Sequence, residues 1–225
     1  MLAIEAGSNL CSVALCCETG IHVLSDEQPR AHTQFMLRFV EQLLARQNIA
    51  VSELDAIVFS AGPGSFTGIR LAAAVAKSLG YAASVPVLGV SSLAVMAQAC
   101  YRQTDLEGVY LVVRDAKMGE YYLAEYQCDA KGQLQCLQQE RILTANQLAI
   151  WTSQADILVC EHDSLHALDS LVPDIKKVQV QAGASDLLQQ AWNETLPSAG
   201  SALSVQVNYL RDKTGWKNVQ QQKQS

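Results

Sequence analysis

Nine consecutive residues, 62–70, are the strongest candidates for chemistry in this chain, because they combine a glycine-rich turn with the start of a helix. An apolar run at residues 56–59 precedes them and an alanine-rich stretch at 71–79 follows, which predicts a strand, a tight turn and a helix. Glycine allows close approach to the backbone, and a helix start presents unpaired N–H groups and a partial positive charge. The turn could therefore hold a phosphate, present Ser65 as a nucleophile or shape a surface.

Three well-known motifs do not fit this turn. A P-loop requires a Gly-Lys pair, which the sequence lacks, and the dinucleotide fingerprint requires its third glycine one residue earlier than it occurs here. A nucleophile elbow requires glycine two residues before and after the serine, whereas Pro63 and Thr67 flank Ser65. The candidate turn residues are Gly62, Pro63, Gly64, Ser65, Thr67, Gly68 and Arg70.

A serine hydrolase or peptidase acting through Ser65 is one alternative, and it would require a base and an orienting acid. His32, His162 or His166 would have to be the base, and none of them lies in a recognisable catalytic context. His162 and His166 also have a spacing that suits a metal, but two histidines four residues apart often arise by chance. We therefore expect no catalytic residue and no metal site.

The composition limits the classes of protein. With 225 residues, 49% of them hydrophobic, the chain can bury a core as one domain or two small ones. A net charge of −6 argues against a protein that binds nucleic acid through its own field. Seven scattered cysteines without a Cys-x-x-Cys pair, no apparent signal peptide and no long apolar run predict a reduced, cytoplasmic protein without a membrane segment.

The pattern of apolar residues predicts two related α/β lobes, residues 1–104 and 105–225, with the C-terminal segment able to return to the first lobe. Each lobe opens with paired strands and then alternates helices and strands. Strands are predicted at 2–5, 11–17, 21–24, 57–60, 85–90, 109–113, 121–126 and 157–160, and helices at 33–47, 67–81, 91–102 and 184–194. The helix at 67–81 is apolar on all sides, which predicts that its own chain or a second protein covers it.

Several separated motifs of the first half resemble the bacterial TsaB (YeaZ) family, which helps to install threonylcarbamoyladenosine in tRNAs that read codons starting with A. The matching pieces are CSVAL at 11–15, RAHTQ at 30–34, GPGSFTGIR at 62–70, GVSSL at 89–93, DAKMGE at 115–120 and YLR at 209–211. Their order and spacing agree with the family over residues 1 to about 127, and residues 128–204 add little.

The resemblance implies a two-lobed actin-like ATPase fold of the sugar kinase, Hsp70 and actin class, and a non-catalytic subunit. Such a subunit would bind and activate the TsaD transferase together with the TsaE ATPase, would contact tRNA only indirectly, and could form a homodimer when its partner is absent. The family pairs through helices of the N-terminal lobe. The interface residues that this implies are His32, Phe35, Met36, Phe39, Val40, Leu43, Ile69, Leu71, Ala73, Ala74 and Ala76.

The resemblance also has consequences for nucleotide binding. In this fold the first strand normally ends in an aspartate followed by Thr or Ser, whereas this chain has Glu5 and Ala6. Ser8 and Asp115 could supply a hydroxyl and a second-lobe carboxylate. We expect that the isolated protein neither hydrolyses nor tightly binds ATP, while nucleotide at the junction with the partner stays open. A small-molecule kinase of the same fold is the remaining alternative.

Overall fold

The structure, a computed structural model, describes residues 1–27, 32–151, 154–193, 202 and 204–210, with the backbone alone at 32–34. The elements of the first lobe are β1 (Leu2–Glu5), β2 (Cys11–Cys17), β3 (Gly20–Asp26), α1 (His32–Gln47), β4 (Ile57–Gly62), α2 (Phe66–Ala83), β5 (Val87–Ser91) and α3 (Ser92–Thr104). The elements that follow are β6 (Gly108–Lys117), β7 (Glu120–Cys128), β8 (Leu134–Thr144), α4 (Ala145–Ala149), β9 (Ile157–Cys160), α5 (Leu165–Leu171), β10 (Lys176–Gln179) and α6 (Ala184–Asn193).

Each lobe is built on one mixed five-stranded sheet. The first sheet has the order β3-β2-β1-β4-β5, in which β1 runs antiparallel to β2 and parallel to β4. The second has the order β10-β9-β6-β7-β8, in which β6 runs antiparallel to β7 and parallel to β9. Both lobes thus join an antiparallel hairpin to parallel strands with flanking helices. This confirms the two-lobed actin-like α/β fold expected from the sequence.

The central strands are buried on both faces. Every residue of β1 and β4 is buried, as their continuous apolar runs predict. The alternation in β2 predicts a half-buried strand, but Cys11–Leu15 are buried throughout, because α1 packs against β2 and so does α6 from the end of the chain. A pattern of alternation was therefore insufficient to reveal that a second helix covers the other face.

The helix enclosed on all sides is α3 rather than α2. Residues 92–100 of α3 are buried, and the cluster that contains them joins Val58 of the first sheet to Val112 and Val159 of the second. In contrast, α2 buries Ile69, Ala72 and Ala76 and exposes another face. The expectation that its own chain covers the helix at 67–81 was therefore wrong, and coverage of that helix by a second protein stays a prediction.

The described residues that follow β10 return to the first lobe. Helix α6 packs against β1, β2 and α3, and Ala202 lies in the core cluster of the first lobe with Val205 and Val207 beside it. The Asn208 N–H donates to the carbonyl of Ala61 at 2.8 Å. Residues that follow the second sheet in the sequence therefore pack against the first lobe in space.

Four elements of the second lobe were not predicted: β8, α4, α5 and β10. Strand β8 is an edge strand that is only partly buried, so its apolar residues do not alternate cleanly. Helices α4 and α5 have five and seven residues, too few for a clear helical period, and β10 is an edge strand with two lysines. Within the described residues, no helix is long and apolar enough to span a membrane.

The start of α2 lies directly against the end of β1. Ser65 is the N-cap residue, and its side chain accepts a hydrogen bond from the Gly68 N–H at 3.3 Å. A Cβ atom on Gly68 would lie 1.8 Å from the carbonyl oxygen of Ala6, a backbone atom that cannot move aside easily. Glycine at this position therefore determines how closely the helix approaches the sheet.

We predict that Gly68→Ala lowers the free energy of unfolding by roughly 2 kcal/mol or more, because the added methyl group forces α2 away from β1. Chemical denaturation measures the loss. Gly183→Ala is the matched control, since a Cβ there would meet Leu10 at an ordinary 3.4 Å. Equal stability of the two variants would contradict the close approach.

Candidate functional site

The turn before α2 is held against the loop between β1 and β2. The Ser65 N–H donates to the carbonyl of Gly7 at 2.8 Å. A Cβ on Gly64 would lie 2.5 Å from that carbonyl and 2.6 Å from Arg114 Nη1, so no side chain fits there. Gly62 and Pro63 are buried, and the peptide bond between them is cis. The glycines of this turn therefore serve close packing.

Two separated motifs meet at the exposed start of α2. The Arg70 guanidinium lies 3.5 Å from the centre of the Phe66 ring, and Arg70 Nε donates to the Tyr209 hydroxyl at 2.7 Å. The two aromatic rings are 6.5 Å apart. The turn motif thus contacts the motif at 209–211, although Arg211 lies outside the described residues. The stack fixes Arg70 on the surface at the first turn of α2.

The predicted interface residues of α2 fall into two groups. Ile69, Ala73 and Ala76 are buried within this chain, so they support the helix from below and do not offer surface to a partner in this conformation. Leu71 is partly buried against the same core, and Ala74 is exposed. Only Ala74 and part of Leu71 are therefore available for contact.

The predicted residues of α1 divide in the same way. Met36, Val40 and Leu43 are buried in the first-lobe core. Phe35 and Phe39 are partly exposed, and their rings stack with centres 5.8 Å apart. The side chain of His32 lies outside the described residues, and so do residues 30 and 31 of the RAHTQ motif.

Three large exposed side chains were missed by sequence reasoning. Phe66 is 55% exposed, Tyr81 is 69% exposed and Leu37 on α1 is 52% exposed. Phe66, Arg70, Ala74 and Tyr81 are spaced by four, four and seven residues, which places them on one face of a helix. That spacing was present in the sequence, but the surrounding alanines concealed it.

A solvent-open cleft of about 890 Å³ lies between the lobes. It is bounded by the β1–β2 loop at Gly7 and Ser8, by Gly64 and Ser65, and by charged residues from both lobes. The charged residues that line it are Glu27, Arg114, Asp115, Lys117, Glu161 and Asp163. Four of these form two ion pairs within the second lobe, Lys117 with Asp115 at 2.8 Å and Arg114 with Glu161 at 2.9 Å. Acidic side chains therefore outnumber basic ones in the cleft.

Glu5 lies beneath this cleft, next to Gly7 in its lining. Its side chain is buried, and Oε1 accepts a hydrogen bond from the Gly7 N–H at 2.6 Å. Oε2 has no hydrogen-bond partner among the described residues. Loss of hydration on burial raises the pKa of Glu5 above its usual 4.5, although the nearby Arg114 charge opposes the shift.

The side chains considered above as a nucleophile, a catalytic base or metal ligands make contacts that explain their positions structurally. Ser65 Oγ caps α2, while His162 Nδ1 hydrogen-bonds Gln179 Oε1 at 2.8 Å. His162 lies in a short 3-10 turn and His166 in the helix that follows, so the pair does not share one helix. Among the residues described, no three His, Cys, Asp or Glu side chains are grouped as metal ligands.

The seven cysteines, all of which lie within the described residues, form no disulfide bond. Burial raises the pKa of the Cys11, Cys100 and Cys160 thiols to about 11, which leaves very little thiolate at neutral pH. These three side chains therefore act as small core residues.

Comparison with known proteins identifies the family. A sequence model described as "TsaD: tRNA N6-adenosine threonylcarbamoyltransferase" matches residues 23–156. The Escherichia coli protein named "tRNA threonylcarbamoyladenosine biosynthesis protein TsaB" is 38% identical over 132 residues, which cover 59% of this chain and 57% of that protein. The chain thus matches little more than half the length of this curated relative.

Two solved structures match almost over their whole length. YeaZ from Pseudomonas aeruginosa is 31% identical with a TM-score of 0.82, covering 93% of this chain and 98% of that one. A second structure, of a P. aeruginosa protein described as similar to peptidase YEAZ, is 32% identical with a TM-score of 0.83 and the same coverage. On the sequence relatives and this shared fold together, the chain belongs to the TsaB (YeaZ) family.

Proposed function

We propose that this chain is the non-catalytic subunit of a tRNA threonylcarbamoyladenosine modification complex, and that it binds a TsaD-like transferase through α1 and α2. Family membership supports the pathway, because the E. coli relative is named for biosynthesis of this modified nucleoside. The observation that carries the binding role is the exposed face of α2. A TsaE-like ATPase would complete the complex, and tRNA would contact the chain only indirectly, in the cytoplasm.

The exposed face of α2 has the properties of a binding surface. Phe66 and Tyr81 at its two ends are large, aromatic and more than half exposed, and aromatic side chains often dominate interface energy. Ala74 between them is exposed and small, which permits close approach by another helix. On α1, which contacts α2, Leu37 is exposed and the stacked rings of Phe35 and Phe39 are partly exposed, so they offer further apolar surface. The same surface could join two copies when the partner is absent.

We further propose that the chain does not bind nucleotide tightly by itself. The acidic side chains of the cleft would repel a polyphosphate, and Glu5 is buried with a raised pKa, so it is a poor ligand for a magnesium ion. Arg114 contacts Glu161 and first-lobe carbonyls, and it is not directed at a free anion. These features do not fit a bound nucleotide and support an accessory role. A nucleotide could still bind at the junction between this chain and its partner.

The first prediction concerns the binding surface. Ala74→Arg should weaken association with the TsaD-like partner by roughly 2 kcal/mol, about thirtyfold in affinity, because it places an unpaired charge inside the interface. Co-purification and size-exclusion chromatography measure the loss. Ala167→Arg, on the exposed face of α5 in the second lobe, is the matched control. Association that is unchanged by Ala74→Arg in a soluble, folded protein would refute the assignment.

Another prediction concerns the affinity of the isolated chain for ATP. Calorimetry of the isolated chain with ATP should give no binding tighter than about 1 mM, because the cleft is acidic and its arginine is already paired. The Asp115→Ala variant distinguishes a specific site from weak surface binding. Micromolar affinity that this substitution abolishes would overturn the proposal.

The third prediction concerns the ionisation of Glu5. Because its pKa is raised above 4.5, the folded protein retains this proton at pH values where the unfolded chain has lost it. This contribution to stability is therefore greatest at low pH and is lost as the pH rises from 4.5 through the raised pKa. In Glu5→Gln it should be absent, so the stability of the wild type relative to this variant should decline with rising pH.

Chemical denaturation at a series of pH values tests this difference. Glu18→Gln, at an exposed position, removes one acidic group without changing the core and serves as the control. Parallel profiles for the wild type and Glu5→Gln would show that Glu5 ionises in the folded protein as it does in the unfolded chain.

A further inference from the structure

Arg114 connects the two lobes through main-chain oxygens. It lies on β6 of the second lobe, and its Nη1 donates to the carbonyl of Pro63 at 2.8 Å and to that of Gly7 at 3.4 Å. Nη2 donates to Glu161 Oε1 at 2.9 Å within the second lobe. The guanidinium therefore joins two loops of the first lobe to a carboxylate of the second.

This arginine is enclosed by its surroundings. Its side chain is only 3% exposed, and a Cβ on Gly64 would lie 2.6 Å from Nη1. The Gly7 carbonyl also accepts the Ser65 N–H, so one oxygen ties together the β1–β2 loop, the turn before α2 and the second lobe. Closure of the lobes and the position of the turn are thus linked at a single oxygen.

The buried charge of Arg114 makes separation of the two lobes unfavourable. Glu161 and the two carbonyls compensate the charge, whereas Nε has no hydrogen-bond partner among the described residues. Moving the second lobe away would expose the two carbonyls and break hydrogen bonds to a charged group, which are stronger than neutral ones. The free energy of these contacts therefore favours the closed arrangement without any ligand.

A second set of contacts also joins the lobes. Glu140 of β8 accepts hydrogen bonds from Ser91 Oγ at the start of α3 and from Asn208 Nδ2. Ser91 lies in the first lobe, and Asn208 is bonded to Ala61 in β4. The lobes are therefore joined by polar contacts at two places in addition to the apolar cluster around α3. The contact made by Arg114 is the one that includes the carbonyls of Gly7 and Pro63.

We propose that Arg114 is a built-in latch, which holds the lobes closed and fixes the turn at 62–65 without a bound ligand. In this arrangement the contacts between Arg114 and the first-lobe carbonyls come from the chain itself. Because the turn leads directly into α2, the latch also keeps the start of that helix in one position. The inference concerns the isolated chain and does not depend on its proposed partner.

Hydrogen exchange of backbone amides tests the latch in the full chain. In the wild type, the Ser65 N–H should exchange slowly, because its acceptor, the Gly7 carbonyl, is also bonded by Arg114 and so stays in place. In Arg114→Met, which keeps side-chain length but removes the charge and the donors, the same amide should exchange at least about tenfold faster. Segments 6–10 and 62–66 should change together.

Lys117→Met is the matched control, since Lys117 also lines the cleft but pairs with Asp115 on its own hairpin. It should leave exchange at Ser65 unchanged. Arg114→Lys adds a milder variant that retains the charge, and it should give an intermediate rate because one ammonium cannot replace the planar fork. Fast exchange of Ser65 in the wild type would overturn the proposal even if Arg114→Met fails to fold. So would identical exchange in a folded Arg114→Met and the control.

Discussion

The lack of side chains at Gly64 and Gly68 is the constraint on which the rest of this structure depends. At Gly68 the helix approaches the carbonyl of Ala6 so closely that a methyl group would overlap it, and at Gly64 the turn packs between Gly7 and Arg114. These approaches let the start of α2 lie on the end of β1. The orientation of α2, the shape of the cleft floor and the position of the turn all follow from this packing.

The cleft and the helical surface are consequences of the same turn. On its inner side the turn meets the buried Glu5 region and Arg114, where hydrogen bonds and charge hold the lobes together. On its outer side it begins a helix with Phe66, Ala74 and Tyr81 exposed. The open cleft between the lobes is lined by more acidic than basic side chains, and Arg114 beside it is enclosed. This arrangement supports the proposed role, in which the outer surface of α2 binds a partner.

Sequence reasoning anticipated the first lobe better than the second. Continuous apolar runs and capping residues located β1, β4 and α3 closely, and the motif resemblance supplied the fold. Sequence reasoning could not separate buried from exposed alanines on α2, because Ala73 and Ala74 are chemically identical and only tertiary packing distinguishes them. Arg114 was also missed as a contact between lobes, because its carbonyl partners at Gly7 and Pro63 leave no signal in side-chain types.

We propose that this chain is an accessory subunit required by a TsaD-like transferase. The most direct measurement is a reconstituted tRNA modification assay with the TsaD-like and TsaE-like proteins, the activated threonine intermediate and tRNA, with and without this chain. Our account predicts that modification requires the chain, and that the chain alone modifies no tRNA. Equal modification in its absence, or modification by the chain alone, would contradict the account.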